Sequence, residues 1–395
     1  MFYYISFLRP PPAQASLAQT EQILITPQIS NDLRTEYLED VVDIYHSWAF
    51  VPNPRSQTAS VITRPAKLTS WRTAHAYKEI SVPRPQNLRD GQSWRLILSV
   101  GTTRKDQVVL LCNDNIGHAP FPVMSMPILF TSRPRKAAKQ EEIVRSYLLR
   151  APAQDASPPE VFDICEQTSF DLDKKVWDSG IGLSSWLVRL YFGGQVDTSP
   201  ALSRVWQVLF SRDRRDIIEL GAGTGIVAIT LGILRSKLDT YGQPGRIVTT
   251  DLSSALPLLQ RNISSNSSLL SKVSPEPAAL DWEVQGLPDA IMSNFDAGLD
   301  AIVMADVTYN TTSFPALINT LSRLAEFSKS KRADRYPSIL LGYKERDVAE
   351  RTLWNMAKEA DINLEQVGVV SGAGGTAIEI WIGNAIGSAN ISQAE

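Results

Sequence analysis

From about residue 160 onward the sequence predicts an α/β fold, a mostly parallel sheet covered by helices on both faces, behind a β-containing N-terminal extension. Three observations predict it. Short apolar runs alternate with amphipathic stretches of helical spacing through this region, the pattern of strands joined by crossover helices. One run, residues 217–220, passes directly into the alternating glycines Gly221, Gly223 and Gly225 and then into a helix. The last two runs have no helix between them, only the glycine-rich residues 368–375, which fits a hairpin and makes the final strand antiparallel.

Taken in order, residues 1–150 form the extension. Prolines punctuate it, among them Pro10, Pro52, Pro54, Pro83, Pro120 and Pro127. Strands are expected at 94–100 and 107–112, joined by a loop at 101–106 as a hairpin. Residues 141–149 have helical spacing. The stretch 151–159, with Pro152, Pro158 and Pro159, reads as a linker, so a second domain is expected over 160–395. There a strand at 161–167 precedes a helix that starts between Lys174 and Trp177 and runs to Tyr191, and a second helix covers 200–210. Strands follow at 217–220, 246–250, 279–282, 301–305, 338–342, 364–367 and 376–382. Helices lie between them at 225–234, 253–266, 312–328 and 346–360.

Charge and composition narrow the function classes. Thirty-nine basic and 42 acidic residues leave a net charge of −3, so no global field draws the protein to nucleic acid or to an anionic membrane. Two cysteines and three histidines do not make a disulfide framework, and no metal site is expected. The apolar opening of the chain lacks a basic region and stops at Arg9-Pro10, unlike a signal peptide. No run approaches the roughly 18 apolar residues of a membrane helix. A soluble, intracellular protein is the expectation.

In an open parallel sheet, ligands bind beyond the carboxyl ends of the strands. Glycine allows bare backbone to approach a ligand there. The dinucleotide fingerprint G-x-G-x-x-G would place its third glycine at 226, where Ile226 stands instead. Glu219, two residues before Gly221, suits a ligand carrying positive charge better than a pyrophosphate. S-adenosylmethionine has an ammonium, a sulfonium and no phosphate. The next strand ends on Asp251, placed to accept both hydroxyls of a ribose, or else to cap the helix after it. Asp281 and Trp282 offer a carboxylate to an adenine amino group and an indole to its face, although a tryptophan there also suits a core. Glu219 has a bland alternative too, an ion pair with Arg214 or Arg215.

A further stretch, Ala305-Asp306-Val307-Thr308-Tyr309, puts a small residue at a strand end and then a carboxylate and a phenol three apart. Methyl transfer to an amine needs such a place. With a pKa near 10.4, only about 0.04% of free lysine is neutral and nucleophilic at pH 7. A site must therefore desolvate the amine and aim its lone pair. A carboxylate can hold it by hydrogen bonds, and an aromatic face tolerates the cation. The alternative is that Asp306 caps a turn and Tyr309 packs on the next helix. Trp177 either covers a cofactor or plugs the core.

With these residues in view, 160–383 resembles the seven-β-strand methyltransferases, and within them the lysine methyltransferases of methyltransferase family 16. The likeness rests on Val176-Trp-Asp178, Glu219-Leu-Gly-Ala-Gly-Thr-Gly225, Thr250-Asp251, Leu280-Asp-Trp282 and the D-x-x-Y run Asp306–Tyr309. It implies a Rossmann-like sheet of order 3-2-1-4-5-7-6 with the last strand antiparallel, and S-adenosyl-L-methionine as cofactor. It also implies cofactor contacts at Trp177, Gly221, Ala222, Gly223, Asp251, Trp282 and Ala305, to which the reading of the residues adds Glu219, Gly225 and Asp281. Asp306 and Tyr309 then serve the acceptor, a lysine of a protein substrate. A monomer in cytoplasm or nucleus is the matching expectation, and the extension resembles those of a fungal branch of the family. A small-molecule or nucleic-acid methyltransferase and a non-catalytic cofactor-binding scaffold are the competing readings. The absence of a basic excess, and of an Asn-Pro-Pro-Tyr-type loop after the fourth core strand, disfavours nucleic acid.

Overall fold

Among the described residues seven strands of the C-terminal region form one sheet: β1 (Ile217–Leu220), β2 (Ile247–Asp251), β3 (Glu276–Ala279), β4 (Ala301–Ala305), β5 (Ser338–Lys344), β6 (Ile362–Val370) and β7 (Ile378–Ala385). Their order is β3-β2-β1-β4-β5-β7-β6. The first five strands pair in parallel, and β7 lies antiparallel between β5 and β6. This is the 3-2-1-4-5-7-6 sheet expected. The computed structural model describes residues 1–18, 22–52, 61–134, 139–150, 160–169, 172–193, 200–332 and 336–385. The linker expected at 151–159 lies outside the described residues.

The helices are α1 (Asp178–Gly193), α2 (Pro200–Phe210), α3 (Ile226–Ser236), α4 (Leu256–Ser265), the single turn α5 (Asp289–Met292), α6 (Phe314–Lys331) and α7 (Thr352–Glu359). Side chains alternate faces along a strand, and β5 uses both. Ile339, Leu341 and Tyr343 join Leu317, Leu321 and Leu324 of α6 and Leu353 of α7 in one core. On the opposite face Gly342 lets α1 come close, since a Cβ there would stand 3.0 Å from the Leu183 Cβ and 3.2 Å from the Ser179 carbonyl oxygen. Each fully buried leucine or isoleucine of this core contributes about 1.5–3 kcal/mol. Among the described residues no helix is long and apolar enough to cross a membrane.

The chain divides into two compact units. One holds 1–110, 114–175 and 372–374; the other holds 111–113, 176–371 and 375–395. The first is a β unit. Tyr4–Arg9, Ile23–Ser30 and Ile80–Val82 make a three-stranded antiparallel sheet, and nine further strands make a second sheet. Trp48, Trp71, Leu96, Leu98 and Phe130 anchor its core. Arg145, buried there, meets Glu166 at 2.8 Å and donates to the carbonyls of Pro122 (2.6 Å) and Ile5 (2.9 Å).

Two expectations about this unit are corrected. Residues 141–149 are not helical: Glu142–Leu148 is a strand, paired antiparallel with Val161–Gln167. Ile143, Val144, Tyr147 and Leu148 are all buried, so both faces of the strand are apolar and its spacing mimics a helix. Nor do 94–100 and 107–112 form a hairpin. Gln92–Ser99 pairs with three other strands, and Val109–Leu110 runs parallel to Glu142–Leu148. The cause lies between them, where Asp106 accepts the N–H and hydroxyl of Thr103 at 2.8 Å each and closes a 3-10 turn over Arg104–Gln107. The strand Val161–Gln167 falls in this unit.

Candidate active site

The register of the sheet sets the site. Leu220 of β1 pairs with Thr250 of β2 and with Met304 of β4. One residue further, Gly221, Asp251 and Ala305 stand level across three adjacent strand tips. Asp251 pairs with Ala279 of β3, and Ala305 with Gly342 of β5. The strand expected at 279–282 lies earlier, at 276–279. Pro277 is tolerated because β3 is an edge strand, and Asp281-Trp282 therefore begins just past the tip.

After Leu220 the chain turns on left-handed glycines, Gly221 at φ +66°, Gly223 at +53° and Gly225 at +81°. Ala222 N–H donates to the Thr250 carbonyl at 3.0 Å and Gly225 N–H to the Ala222 carbonyl at 2.8 Å. A Cβ at Gly221 would meet Val307 Cγ1 at 2.7 Å and the Trp282 ring at 3.5 Å; one at Gly225 would meet Leu259 Cδ1 at 2.4 Å. The turn thus touches both the indole beyond β3 and the residue after Asp306. Asp251 Oδ2 accepts Gly223 N–H and Oδ1 accepts Leu252 N–H, each at 2.7 Å. It does not cap α4, which begins only at Leu256 behind Ala255.

Glu219 is placed differently from expectation. Its carboxyl is buried, accepts the Thr249 hydroxyl of β2, and is pushed up to about 7 by burial, with the Asp251 charge adding to the rise. Glu219 therefore braces the glycine turn from inside the sheet. Arg214 and Arg215 are bound elsewhere, to Asp216 and Asp296 and to Asp213 and Asp300. Asp281 is exposed and accepts Glu283 N–H at 3.0 Å. Trp282 is half-buried against the core of β1 and β4.

Asp306 holds φ +56°, the left-handed region that aspartate enters more readily than most residues. Its Oδ2 accepts Ser179 N–H at 2.6 Å and Gly180 N–H at 3.3 Å, and its Oδ1 accepts the Ser179 hydroxyl at 2.8 Å. It caps the first turn of α1, where unpaired N–H groups and the helix dipole favour an anion. Arg346 lies 2.7 Å from the same carboxylate. Tyr309 is half exposed, and its ring stacks on Trp177 at 5.7 Å, 17° from parallel. Trp177 is only half-buried, so it is not a core plug. Thr249, Ser179 and Arg346 carried no spacing signal of their own. The helix expected at 346–360 begins only at Thr352, which leaves Arg346 in the segment after β5.

The lysine methyltransferase family matches residues 156–360, just over half of the chain. The chain belongs to that family. Protein-lysine N-methyltransferase EFM6 of Saccharomyces cerevisiae is 29% identical over 189 residues, 47% of this chain and 68% of that protein. EEF1A lysine methyltransferase 3 of Xenopus tropicalis is 36% identical over 110 residues, which spans 28% of this chain and 42% of the frog protein. The solved magnesium protoporphyrin IX methyltransferase of Synechocystis PCC 6803, with SAH bound, aligns with 52% of this chain and 94% of its own at a TM-score of 0.31 and 16% identity. In this chain the family match takes in β1 to β5 and the tips described above, and leaves out residues 1–155.

Proposed function

We propose that the protein transfers a methyl group from S-adenosylmethionine to a lysine side chain of a protein. The carrying observation is the level alignment of Gly221, Asp251 and Ala305 across three paired strands, with Asp306–Tyr309 directly beyond. The fit to the cofactor follows from the residues. A carboxylate already oriented by two backbone N–H groups suits a pair of ribose hydroxyls. Backbone lacking Cβ atoms at Gly221 and Gly223 suits close approach of the amino-acid portion, with Ala222 between them. Trp282 would flank the base, Asp281 would accept from its amino group, and Trp177 and Ala305 would border the methyl end. When bound, the cofactor supplies a methyl carbon made electrophilic by its sulfonium.

The protein's own work is orientation and desolvation. Tyr309 and Trp177 give the acceptor an aromatic rim that receives a lysine stem and tolerates its charge. Asp306 fixes that rim by tying the strand tip to the first turn of α1, immediately after Trp177. The lysine loses its proton to water before its lone pair attacks. Relatives at about 30% identity named as protein-lysine methyltransferases support a protein acceptor over a small molecule.

Tritium transfer from labelled cofactor into a cell lysate tests this, with protease and nuclease controls. Label is expected in protease-sensitive material and, after hydrolysis, on lysine. Label that survives protease but not nuclease would contradict the reading.

A further inference from the structure

Arg346 joins the two halves of the proposed acceptor mouth. It stands two residues past β5, and its side chain is 9% exposed. One end of the guanidinium lies 2.7 Å from Asp306 Oδ1. Its flat face sits over the Trp177 ring, 4.8 Å from the centroid, and that ring stacks in turn on Tyr309. Nη1 also donates to the Lys344 carbonyl at 3.4 Å.

The other charges nearby are largely matched. Asp178, at the start of α1, pairs with Lys344 at 2.7 Å. Glu345 and Glu379 both bind Arg351. Glu350 accepts the Arg346 backbone N–H at 3.2 Å, and burial, its largest influence, pushes its carboxyl up. Tyr309 and Tyr343 are phenols, neutral near pH 7. The Asp306–Arg346 pair is therefore the charge balance that the rim depends on. With Arg346 removed, the Asp306 carboxylate would keep only neutral donors, the Ser179 and Gly180 N–H groups and the Ser179 hydroxyl. An anion within about 4–6 Å holds an amine in its charged form by 1–3 pH units, and an ammonium has no lone pair to attack a methyl carbon.

We infer that Arg346 is a positioning residue that neutralises Asp306, so that the acceptor lysine reaches the methyl group as a free amine, and that pins Trp177 against Tyr309. The inference rests on the lysine-methylation reading above. It adds to that reading a requirement for a cation at this position.

The test is the pH dependence of kcat, with the lysate protein that the wild type labels, once purified, as acceptor and with S-adenosylmethionine saturating. In Arg346→Gln the acid limb is expected to move up by about one pH unit, with a tenfold loss near neutrality that shrinks at high pH. Arg346→Lys keeps the charge, and its limb is expected to stay near that of the wild type while the rate falls with the lost stacking. Asp306→Asn leaves the cation unbalanced, and its limb is expected to move down. This variant decides the matter if Arg346→Gln does not fold. Limbs that superimpose in every folded variant, or that move together in the Gln and Lys variants, would overturn the inference and leave the functional reading standing. A wild type that labels no lysine would overturn both.

Discussion

The backbone N–H of Gly223 donates to the Asp251 carboxylate at 2.7 Å, so the tip of β2 holds the glycine turn that follows β1. Because Leu252 N–H takes the other oxygen, the carboxylate is oriented before any ligand arrives. Ordering a side chain in advance removes part of the entropy that binding would otherwise cost.

Gly221→Ala is expected to destabilise the protein. The new Cβ would stand 2.7 Å from Val307 Cγ1 at φ +66°, and Val307 is buried, with no room to yield. Overpacking and left-handed backbone together predict a loss of about 2–4 kcal/mol. Urea denaturation reads it directly, and an unchanged midpoint would show that the turn is looser than its geometry implies.

Asp306→Ala is expected to lose more. It strips three hydrogen bonds from the first turn of α1 and leaves the buried Arg346 guanidinium without its 2.7 Å partner. Breaking a buried ion pair from one side costs about 3–5 kcal/mol. Asp306→Asn, which keeps an acceptor oxygen, should lose less. Equal midpoints for the two variants would remove the capping role.

Most of the C-terminal unit was legible in the sequence because its elements are local. The glycine turn, the aspartate that ends β2 and the small residue that ends β4 each follow directly from an apolar run, and parallel pairing brings them level. Asp306 was legible as a residue but not as a helix cap, since Ser179 and Gly180 are 127 and 126 residues away. Arg346 was silent for the same reason. The strand at 142–148 was misread because both of its faces are buried, a property of the tertiary structure that no periodicity reports.

Tyr309→Ala is expected to separate binding from transfer. The ring is half exposed and stacks on Trp177, so cofactor affinity should change by less than about threefold. Losing an aromatic pair of about 0.5–1.5 kcal/mol at the rim predicts a fall in transfer rate of about two- to tenfold. A parallel loss of cofactor affinity would move Tyr309 into the cofactor site.

Glu219 gives the stability a distinct pH dependence. Burial raises its carboxyl from 4.5 to about 7, so the folded state binds its proton more tightly than the unfolded chain does. Its contribution is fully present below about pH 4.5 and is lost as pH rises through about 7, on the order of 3 kcal/mol in all. Glu219→Gln should remove this component. The gap between wild type and variant in denaturation free energy is therefore expected to change across pH 4.5–7 and to level off above it. A constant gap would mean that Glu219 is ionised throughout.

Calorimetric titration of S-adenosylmethionine into the wild type and into Asp251→Ala tests the central claim most directly. The wild type is expected to bind, and the variant to bind at least about tenfold more weakly, the loss of a charged partner to hydroxyl donors being worth about 1.5–3 kcal/mol. Equal affinities would contradict the assignment of the strand tips as the cofactor site.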